Sequence, residues 1–267
     1  TRDHVLVVGA SGLTGRCLVP TLIDAGFQVT CLGRNRSKAA ASLPMEAVRF
    51  IDGNVNDVGS MRLALKGVRN VVHIPNILSV NCRQTLDLCI ESGVRRAVFF
   101  STTAIFTSIP SEHRASRLQS EQSILESPLE TVIVRPTMIY GRPHDRNMSR
   151  LIQYLARYPI LPVVGDGNSL QQPVFVDDLA QAVAETLTRP RASNCAYNLA
   201  GKEPISFNAV VQTITRLLGR KVFIPHLPAA PIIKTVEWLE CRTRLFPIQS
   251  EQLIRLNEDK VFDYSDA

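Results

Sequence analysis

Residues 5–16 read Val-Leu-Val-Val-Gly-Ala-Ser-Gly-Leu-Thr-Gly-Arg. The four apolar residues at the start are typical of a strand that is buried on both faces of a parallel sheet. Gly9, Gly12 and Gly15 follow at three-residue spacing, and apolar residues at helical spacing come after them. The stretch therefore predicts a strand, a glycine turn and a helix.

This context gives each glycine a physical role. Gly9 allows a tight turn, Gly12 lets the backbone approach a pyrophosphate, and Gly15 lets the helix pack against the strand. The N–H groups at the helix start would then face the phosphates. The motif predicts a dinucleotide site, and the alternative is a strand–helix turn that is only rich in glycine.

Composition narrows the class of protein. The chain has 267 residues, of which 45% are hydrophobic, so it can form a core without disulfides or metals. Its net charge of +6 comes from scattered Lys and Arg residues and predicts no nucleic-acid partner. No apolar run reaches membrane-spanning length. The six cysteines form no C-x-x-C pair, so we expect reduced thiols and a cytoplasmic protein.

Strand and helix patterns alternate through the first half of the chain. Further strands are predicted at 27–32, 47–51, 70–74, 97–101 and 131–135, and helices at 57–65, 79–92 and 112–126. This alternation predicts an α/β fold with a parallel sheet and helices on both of its faces.

The pattern loosens after residue 136. We predict helices near 148–156, after Asp177, after Ser206 and over 228–256 with a break at Pro247, and short strands at 174–176, 197–199 and 222–224. Asp177 and Ser206 are expected to cap their helices. Helical spacing predicts that Leu118 and Leu217 face the core.

The chain resembles the extended or atypical short-chain dehydrogenase/reductases in three motifs, Gly9-Ala-Ser-Gly-Leu-Thr-Gly15, Arg135-Pro-Thr-Met-Ile-Tyr-Gly141 and Val174-Phe-Val-Asp-Asp-Leu-Ala180. This family includes the NAD-dependent epimerase/dehydratase group and the NmrA-like and complex-I-associated branches. The resemblance implies a Rossmann fold, a doubly wound parallel sheet of about seven strands, with a small C-terminal substrate lobe. It places the Rossmann domain at 1–140, completed by 174–200, and builds the lobe from 141–173 and 201–267.

The segment after the second predicted strand indicates which cofactor is bound. NAD-binding proteins usually place an acid there to hold the ribose 2′-hydroxyl, but this chain has Arg34, Arg36 and Lys38. A guanidinium can hold a 2′-phosphate through two parallel hydrogen bonds. We therefore predict NADP as the cofactor, with Arg34 as its main contact, and NAD bound without selection as the alternative.

The resemblance implies further cofactor contacts. Asn54 replaces the family's usual Asp beside the adenine, and the backbone near Ile74 and Pro75 would line the ribose. The predicted cofactor residues are Gly9, Ser11, Gly12, Leu13, Thr14, Gly15, Arg34, Arg36, Lys38, Asn54, Val55, Ile74, Pro75, Ser101 and Pro136.

The catalytic residues depart from the family's pattern. The family uses a Ser or Thr after the fifth strand and a Tyr-x-x-x-Lys pair on the next helix, where the Tyr exchanges a proton with the substrate oxygen. Thr102 and Thr103 supply a hydroxyl here, but residues 111–121 contain neither Tyr nor Lys.

Three other residues are candidates for the missing pair. The nearest register puts His113 at the Tyr place and Arg117 at the Lys place, and the alternative is that both are solvated residues at a helix start. Tyr140 is a further candidate acid. The histidines are dispersed without the spacing of metal ligands, so we expect no metal.

These patterns leave two hypotheses about function. The first is an NADP(H)-dependent oxidoreductase or epimerase-like enzyme that moves a hydride to or from a small carbonyl, hydroxyl or sugar-type substrate. The second is a non-catalytic NADP(H)-binding redox sensor, regulator or assembly protein, which the absent Tyr and Lys favour. The resemblance also implies a homodimer through 79–92 and 112–126, with Cys82, Leu86 and Cys89 on that face or in the core.

Overall fold

The computed structural model describes residues 3–78, 80–108, 112–143, 145, 147–189, 193–242 and 250–265. Its strands are β1 His4–Val8, β2 Gln28–Gly33, β3 Val48–Asp52, β4 Asn70–His73, β5 Arg96–Phe100, β6 Glu130–Pro136, β7 Ile139–Tyr140, β8 Val163–Val164, β9 Leu170–Gln171, β10 Val174–Phe175, β11 Cys195–Leu199, β12 Ile205–Ser206 and β13 His226–Leu227. Its helices are α1 Leu13–Asp24, α2 Arg36–Ala40, α3 Val58–Leu65, α4 Val80–Glu91, α5 Glu112–Leu125, α6 Met148–Arg157, α7 Val176–Thr186, α8 Phe207–Leu217, α9 Ala229–Arg242 and α10 Ser250–Leu256, with a 3₁₀ helix at Thr103–Phe106.

Seven strands form one central sheet in the order β11-β6-β5-β4-β1-β2-β3. Every neighbouring pair in it is parallel. The predicted Rossmann fold is therefore confirmed. The strand order reverses at β1, between β2 and β4, and a crevice forms beyond the carboxyl ends of the strands at such a point.

The core lies on both faces of this sheet because successive side chains of a strand point in opposite directions. Val5 and Val7 of β1 belong to one apolar cluster, which α1 and α7 cover. Leu6 and Val8 belong to the other, which α3, α4 and α5 cover. The strand is thus buried on both faces, as its unbroken apolar run predicts.

A third, smaller cluster holds the C-terminal part of the molecule together. Leu155 of α6 packs there with Val210, Val211 and Ile214 of α8. Short strand pairs connect the same segments, since β8 pairs with β13 and β9 pairs with β12. Residues from 148–164 and 205–227 therefore share one core, although the division of the chain into domains stays a prediction.

Several local expectations are corrected by the structure. Val176 begins α7 instead of ending a strand, and Asp177 lies in the first turn of that helix, whose N-cap is Phe175. No strand forms at 222–224 within the described part, where only an isolated bridge joins Ile160 to Phe223. Ser206 does cap α8, accepting a hydrogen bond from the Ala209 N–H at 3.2 Å.

The burial of individual apolar residues also differs from the helical pattern. Leu118 and Leu217 are exposed, although both were expected to face the core. Cys82, Leu86 and Cys89 are buried in the core, which settles the alternative left open for them. Pro247, the expected helix break, lies outside the described residues. Among the helices that the structure describes, none combines the length and apolar character needed to cross a bilayer.

Candidate functional site

A cleft of about 1280 Å³ opens beyond the carboxyl ends of β1, β4, β5 and β6, where the strand order predicts a ligand site. Its walls come from the start of α1, from α2, from the loops after β4 and β5, and from the segment after β6. The lining residues are Ser11, Leu13, Thr14, Arg16, Cys17, Lys38, Ser42, Ile74, Asn76, Phe100, Ser101, Thr102, Arg117, Pro136, Thr137, Met138, Ile139, Arg142, Pro143, Asp145 and Asn147.

The glycine turn at one wall of this cleft has no room for side chains. Gly9 has a positive φ of +87°, and a Cβ there would lie 3.3 Å from the side chains of Ile74 and Pro75. A Cβ on Gly15 would collide with the carbonyl oxygens of Gly9 and Ala10. The turn is closed by the Gly12 N–H, which donates to the Gly9 carbonyl at 3.0 Å. The glycines thus hold β1 and α1 in close contact.

The N-terminus of α1 is open to an anion. Its N-cap is Gly12, which has no side chain to cap the helix, and the first turn contains no acid. Ser11, Leu13 and Thr14 line the cleft at this point. The first N–H groups of a twelve-residue helix and its positive dipole end therefore face the cleft. A backbone cradle of this kind fits a pyrophosphate group.

The predicted basic segment divides into residues with different surroundings. Lys38 lines the cleft, and its N–H donates to the Asn35 side chain at 2.8 Å, which fixes the start of α2. Arg36 instead donates to the Phe50 carbonyl at 3.3 Å and lies over the Phe50 ring. Arg34 is exposed and does not line the cleft. Its contact with a 2′-phosphate stays a prediction.

The predicted adenine loop also lies outside the cleft. The Asn54 side chain is exposed and accepts a hydrogen bond from the Asn56 N–H at 3.2 Å. Val55 packs against the core cluster under α3. These contacts shape the loop after β3. The contact of Asn54 with the adenine stays a prediction.

The hydroxyls after β5 point in different directions. Ser101 and Thr102 line the cleft, and the buried Ser101 Oγ has no hydrogen-bond partner within the part of the chain that is described. Thr102 Oγ1 accepts from the Ala104 N–H at 3.2 Å, which starts the 3₁₀ helix. Thr103 is buried with its hydroxyl 3.5 Å from the Pro136 carbonyl, and it does not line the cleft. Thr102 therefore supplies the hydroxyl that is available to a substrate, whereas the Ser101 Oγ is itself buried.

Of the three substitutes for the missing Tyr and Lys, only Arg117 lines the cleft. Its Nε is buried and finds no hydrogen-bond partner among the residues described. Burial and the positive charge of Arg255 lower the pKa of the Arg117 guanidinium. His113 is exposed, and Tyr140 packs its ring 5.6 Å from the Phe175 ring, both away from the cleft.

Sequence reasoning missed a polar group that lines the cleft, Arg142 and Cys17. Arg142 pairs with Asp177 at 2.7 Å, and its Nε donates to the Cys17 Sγ at 3.3 Å. Burial raises the pKa of the Cys17 thiol. Cys17 could have been found, because it lies four residues after Leu13 and shares a helix face with it.

Asp145 is a second residue of the cleft that the sequence analysis did not identify. It is buried, and its carboxylate accepts hydrogen bonds from the Asn147 and Ser149 N–H groups at 3.1 and 2.8 Å. The carboxylate therefore fixes the start of α6. No spacing in the sequence marks it as part of this site.

Comparison with known proteins adds independent information. A family model described as NAD(P)H-binding matches residues 9–190. The chain is 26% identical over 258 residues to the N-acetyl-alpha-D-glucosaminyl-diphospho-ditrans,octacis-undecaprenol 4-epimerase of Escherichia coli O157:H7, an alignment that covers 85% of this chain and 76% of that protein.

Two further similarities concern a longer relative and the fold. An uncharacterized protein of Mycobacterium tuberculosis is 27% identical over 236 residues, and the match covers 87% of this chain but only 25% of that protein. The crystal structure of gox2253 superposes with a TM-score of 0.78 at 22% identity, covering 100% of this chain and 91% of that one.

Proposed function

The chain belongs to the NAD(P)H-binding family, among the atypical short-chain dehydrogenase/reductases of the epimerase/dehydratase type, and on this premise we propose that it is an NADP(H)-dependent oxidoreductase or epimerase-like enzyme. The substrate would be a small carbonyl, hydroxyl or sugar-type compound. The name of the Escherichia coli relative also contains a sugar, N-acetyl-glucosaminyl, although there it is linked to diphospho-undecaprenol. The observation that carries the proposal is that Thr102 shares a cleft with the open end of α1.

The chain's own residues would hold the cofactor along one wall of the cleft. The N–H groups at the start of α1 would bind the pyrophosphate, and Ile74 would lie along the ribose. Lys38 and Arg34 would pair with the 2′-phosphate, since both cations follow β2. When bound, the cofactor supplies or accepts a hydride.

The opposite wall would act on the substrate oxygen. Thr102 can donate a hydrogen bond to it, and the positive charge of Arg117 would stabilise negative charge that develops on it. Arginine does not exchange protons near neutral pH. We therefore infer that the Thr102 hydroxyl relays a proton between this oxygen and water.

Titration calorimetry with NADPH and with NADH tests the cofactor assignment. We expect NADPH to bind about 10- to 100-fold more tightly, because a charge-assisted hydrogen bond contributes roughly 1.5–3 kcal/mol. Arg34→Ala and Lys38→Ala should each reduce the preference. Arg83→Ala, which removes an exposed arginine on α4, is the matched control. Equal affinity for both cofactors would contradict the NADP assignment.

Turnover tests the reaction. Oxidation of NADPH should be measured with a panel of carbonyl compounds. Epimerisation, which consumes no NADPH overall, should be measured with a panel of nucleotide sugars. Thr102→Ala is expected to lower kcat on the order of 100-fold while cofactor affinity is retained, because the hydroxyl, which also accepts from the Ala104 N–H, would contact the reacting oxygen and not the cofactor. Thr188→Ala, an exposed threonine after α7, is the control. Tight NADPH binding with no turnover on either panel would favour the non-catalytic sensor, regulator or assembly protein.

The compartment and the oligomeric state are part of the proposal. We place the protein in the cytoplasm because Cys17, Cys31, Cys82, Cys89 and Cys195 are free thiols.

A homodimer through α4 and α5 stays a prediction. With Cys82, Leu86 and Cys89 in the core, the exposed apolar residues on those helices include Ile90 and Leu118. Sedimentation equilibrium of the wild type and of Leu118→Ser tests it, and a monomeric wild type would contradict it.

A further inference from the structure

Two segments of the C-terminal lobe lie side by side and form one surface, here called the lobe edge. They are residues 154–160 at the end of α6 and residues 217–223 at the end of α8. The Leu161 N–H donates to the Phe223 carbonyl at 2.9 Å, and the Phe223 N–H donates to the Pro159 carbonyl at 2.8 Å. The Tyr154 hydroxyl donates to the Ile160 carbonyl at 3.1 Å. The shape of the lobe edge is therefore fixed by backbone contacts.

The lobe edge presents large apolar side chains to solvent. Leu217 is 80% exposed, Phe223 68%, Ile160 50% and Tyr158 45%. Ile160 and Phe223 are partners in a parallel bridge, so their side chains lie on the same side of the backbone. Their neighbours Leu161, Val222 and Ile224 instead pack against the lobe core. The outward positions, normally polar, are thus occupied by apolar residues that the core does not need.

The charge of the lobe edge has one sign. Residues 147–165 and 204–236 contain no Asp and no Glu. Arg157, Arg216, Arg220 and Lys221 lie within or beside the lobe edge. The Arg157 guanidinium lies 5.7 Å from the centre of the Tyr158 ring. Cations therefore border an exposed apolar surface, and these two segments contain no carboxylate that could pair with them.

We propose that the lobe edge docks onto the surface of an anionic lipid bilayer. Leu217, Phe223 and Ile160 would enter the boundary between headgroups and acyl chains, and the surrounding cations would pair with lipid phosphates. Tyr158 would lie at the same boundary, because its ring is apolar and its hydroxyl is polar. The proposal rests on the lobe alone and is independent of the proposed reaction.

Charge argues for this occupant over a second copy of the chain. In a two-fold contact each surface meets itself, so the four cations would face like charges. Leu217, the most exposed side chain of the lobe edge, is the last residue of α8. A side chain exposed at the end of a helix can insert into the fluid interface of a bilayer. An anionic bilayer offers acyl chains to the apolar side chains of the lobe edge and phosphate groups to its cations.

Sedimentation with vesicles tests the proposal. Vesicles of phosphatidylcholine alone should be compared with vesicles of equal parts phosphatidylcholine and phosphatidylglycerol. We expect binding to the anionic vesicles only, and weaker binding as salt is raised. Leu217→Ser combined with Phe223→Ser should lower the affinity at least tenfold. Arg220→Gln combined with Lys221→Gln should lower it by about 25-fold, at about fivefold per cation.

A control variant separates docking from general loss of hydrophobic or basic surface. Leu63→Ser combined with Lys66→Gln changes an exposed leucine and an exposed lysine at the end of α3, and it should bind vesicles like the wild type. Unchanged thermal melting of each variant would show that it is folded.

Three outcomes would overturn the proposal. The first is no sedimentation of the folded wild type with anionic vesicles. The second is equal binding by wild type and both lobe-edge variants. The third is that the wild type binds no vesicles but forms a concentration-dependent dimer, and that Leu217→Ser combined with Phe223→Ser dissociates this dimer. That result would assign the surface to a second copy of the chain.

Discussion

Gly15 lies where α1 crosses the end of β1, with no space for even a methyl group. A Cβ there would collide with backbone atoms of Gly9 and Ala10, which cannot move as a flexible side chain could. We expect Gly15→Ala to lower the free energy of unfolding by about 1–3 kcal/mol through overpacking. It should also abolish measurable NADPH binding, because the first turn of α1 would be displaced. Urea denaturation and calorimetry measure the two effects.

Gly59→Ala is the matched control for this substitution. Gly59 lies inside α3, and a Cβ there would make only ordinary contacts of 3.6–3.8 Å with the Asp57 carboxylate. Since alanine favours the helix over glycine, we expect an increase of about 0.5–1 kcal/mol in the free energy of unfolding, with NADPH binding unchanged. Equal effects of the two variants would show that the close contact at Gly15 is unimportant.

His73 couples the stability of the protein to pH. It is fully buried at the end of β4 beside the Phe99 ring, and burial lowers its pKa to about 4. In the unfolded chain the pKa lies near 6.5, so between the two values only the unfolded state binds the proton. The stabilising contribution is therefore complete above about pH 6.5 and is lost as the pH falls toward about 4, by up to about 3 kcal/mol.

Replacement of His73 by an aromatic residue tests this coupling. His73→Phe should flatten the dependence of the free energy of unfolding on pH between about 7 and about 4.5. His113→Gln replaces an exposed histidine and should keep the wild-type dependence. Urea titrations at several pH values make the comparison, and identical slopes for wild type and His73→Phe would contradict it.

At the scale of residues, the sequence could predict the parts of the cleft that depend on local spacing. Ser11, Leu13 and Thr14 follow from the glycine turn and do line the cleft. The contact of Arg142 with Cys17 joins residues 125 positions apart. Such a contact depends on how α1, α7 and the segment after β6 pack together. The spacing of residues along the sequence does not predict this packing.

At the scale of elements, Arg96 joins three parts of the Rossmann fold. It is fully buried at the start of β5 and donates to the carbonyls of Thr186, the last residue of α7, and of Arg189, just beyond that helix, at 2.6 and 2.8 Å. It also pairs with Glu130 of β6 at 2.8 Å. The guanidinium thus satisfies carbonyls that the helix end leaves open.

We expect Arg96→Met to lower the free energy of unfolding by about 2–4 kcal/mol, because two carbonyls lose their donor and the partly exposed Glu130 carboxylate keeps only the more distant Arg95. The adjacent Arg95 provides a matched control. It is half exposed and lies 3.9 Å from the same Glu130 carboxylate, so Arg95→Met should cost less than about 1 kcal/mol. Urea denaturation of both variants measures the two losses in the free energy of unfolding. Similar losses would mean that the buried hydrogen bonds contribute little.

The elements of the Rossmann sheet could be predicted because each has a long apolar pattern, and most of their ends shift by only one or two residues. The strands outside that sheet could not. Strands β8, β9, β12 and β13 have two residues each, too few for a pattern, and they exist only through their pairing. Leu217 fits the apolar stripe of α8, yet the helix extends past its core there and leaves the residue exposed.

At the scale of the whole molecule, the cleft is built from both halves of the sheet. Residues after β1 and β2 form one wall, and residues after β5 and β6 form the other. A ligand that contacts both walls binds the folded chain alone, so it shifts the unfolding equilibrium by mass action. We expect NADPH at 100 times its dissociation constant to raise the free energy of unfolding by about 2.7 kcal/mol.

For a protein of this size such a gain corresponds to a rise in melting temperature of about 5 °C or more. Thermal melting of the wild type and of Lys38→Ala at one fixed NADPH concentration measures it. The variant should show a smaller rise because it has lost a cation that lines the cleft, whereas Arg83→Ala should match the wild type. Because the strand order places both walls at the carboxyl ends of the same sheet, a melting temperature that NADPH leaves unchanged would mean that the cleft does not bind the nucleotide.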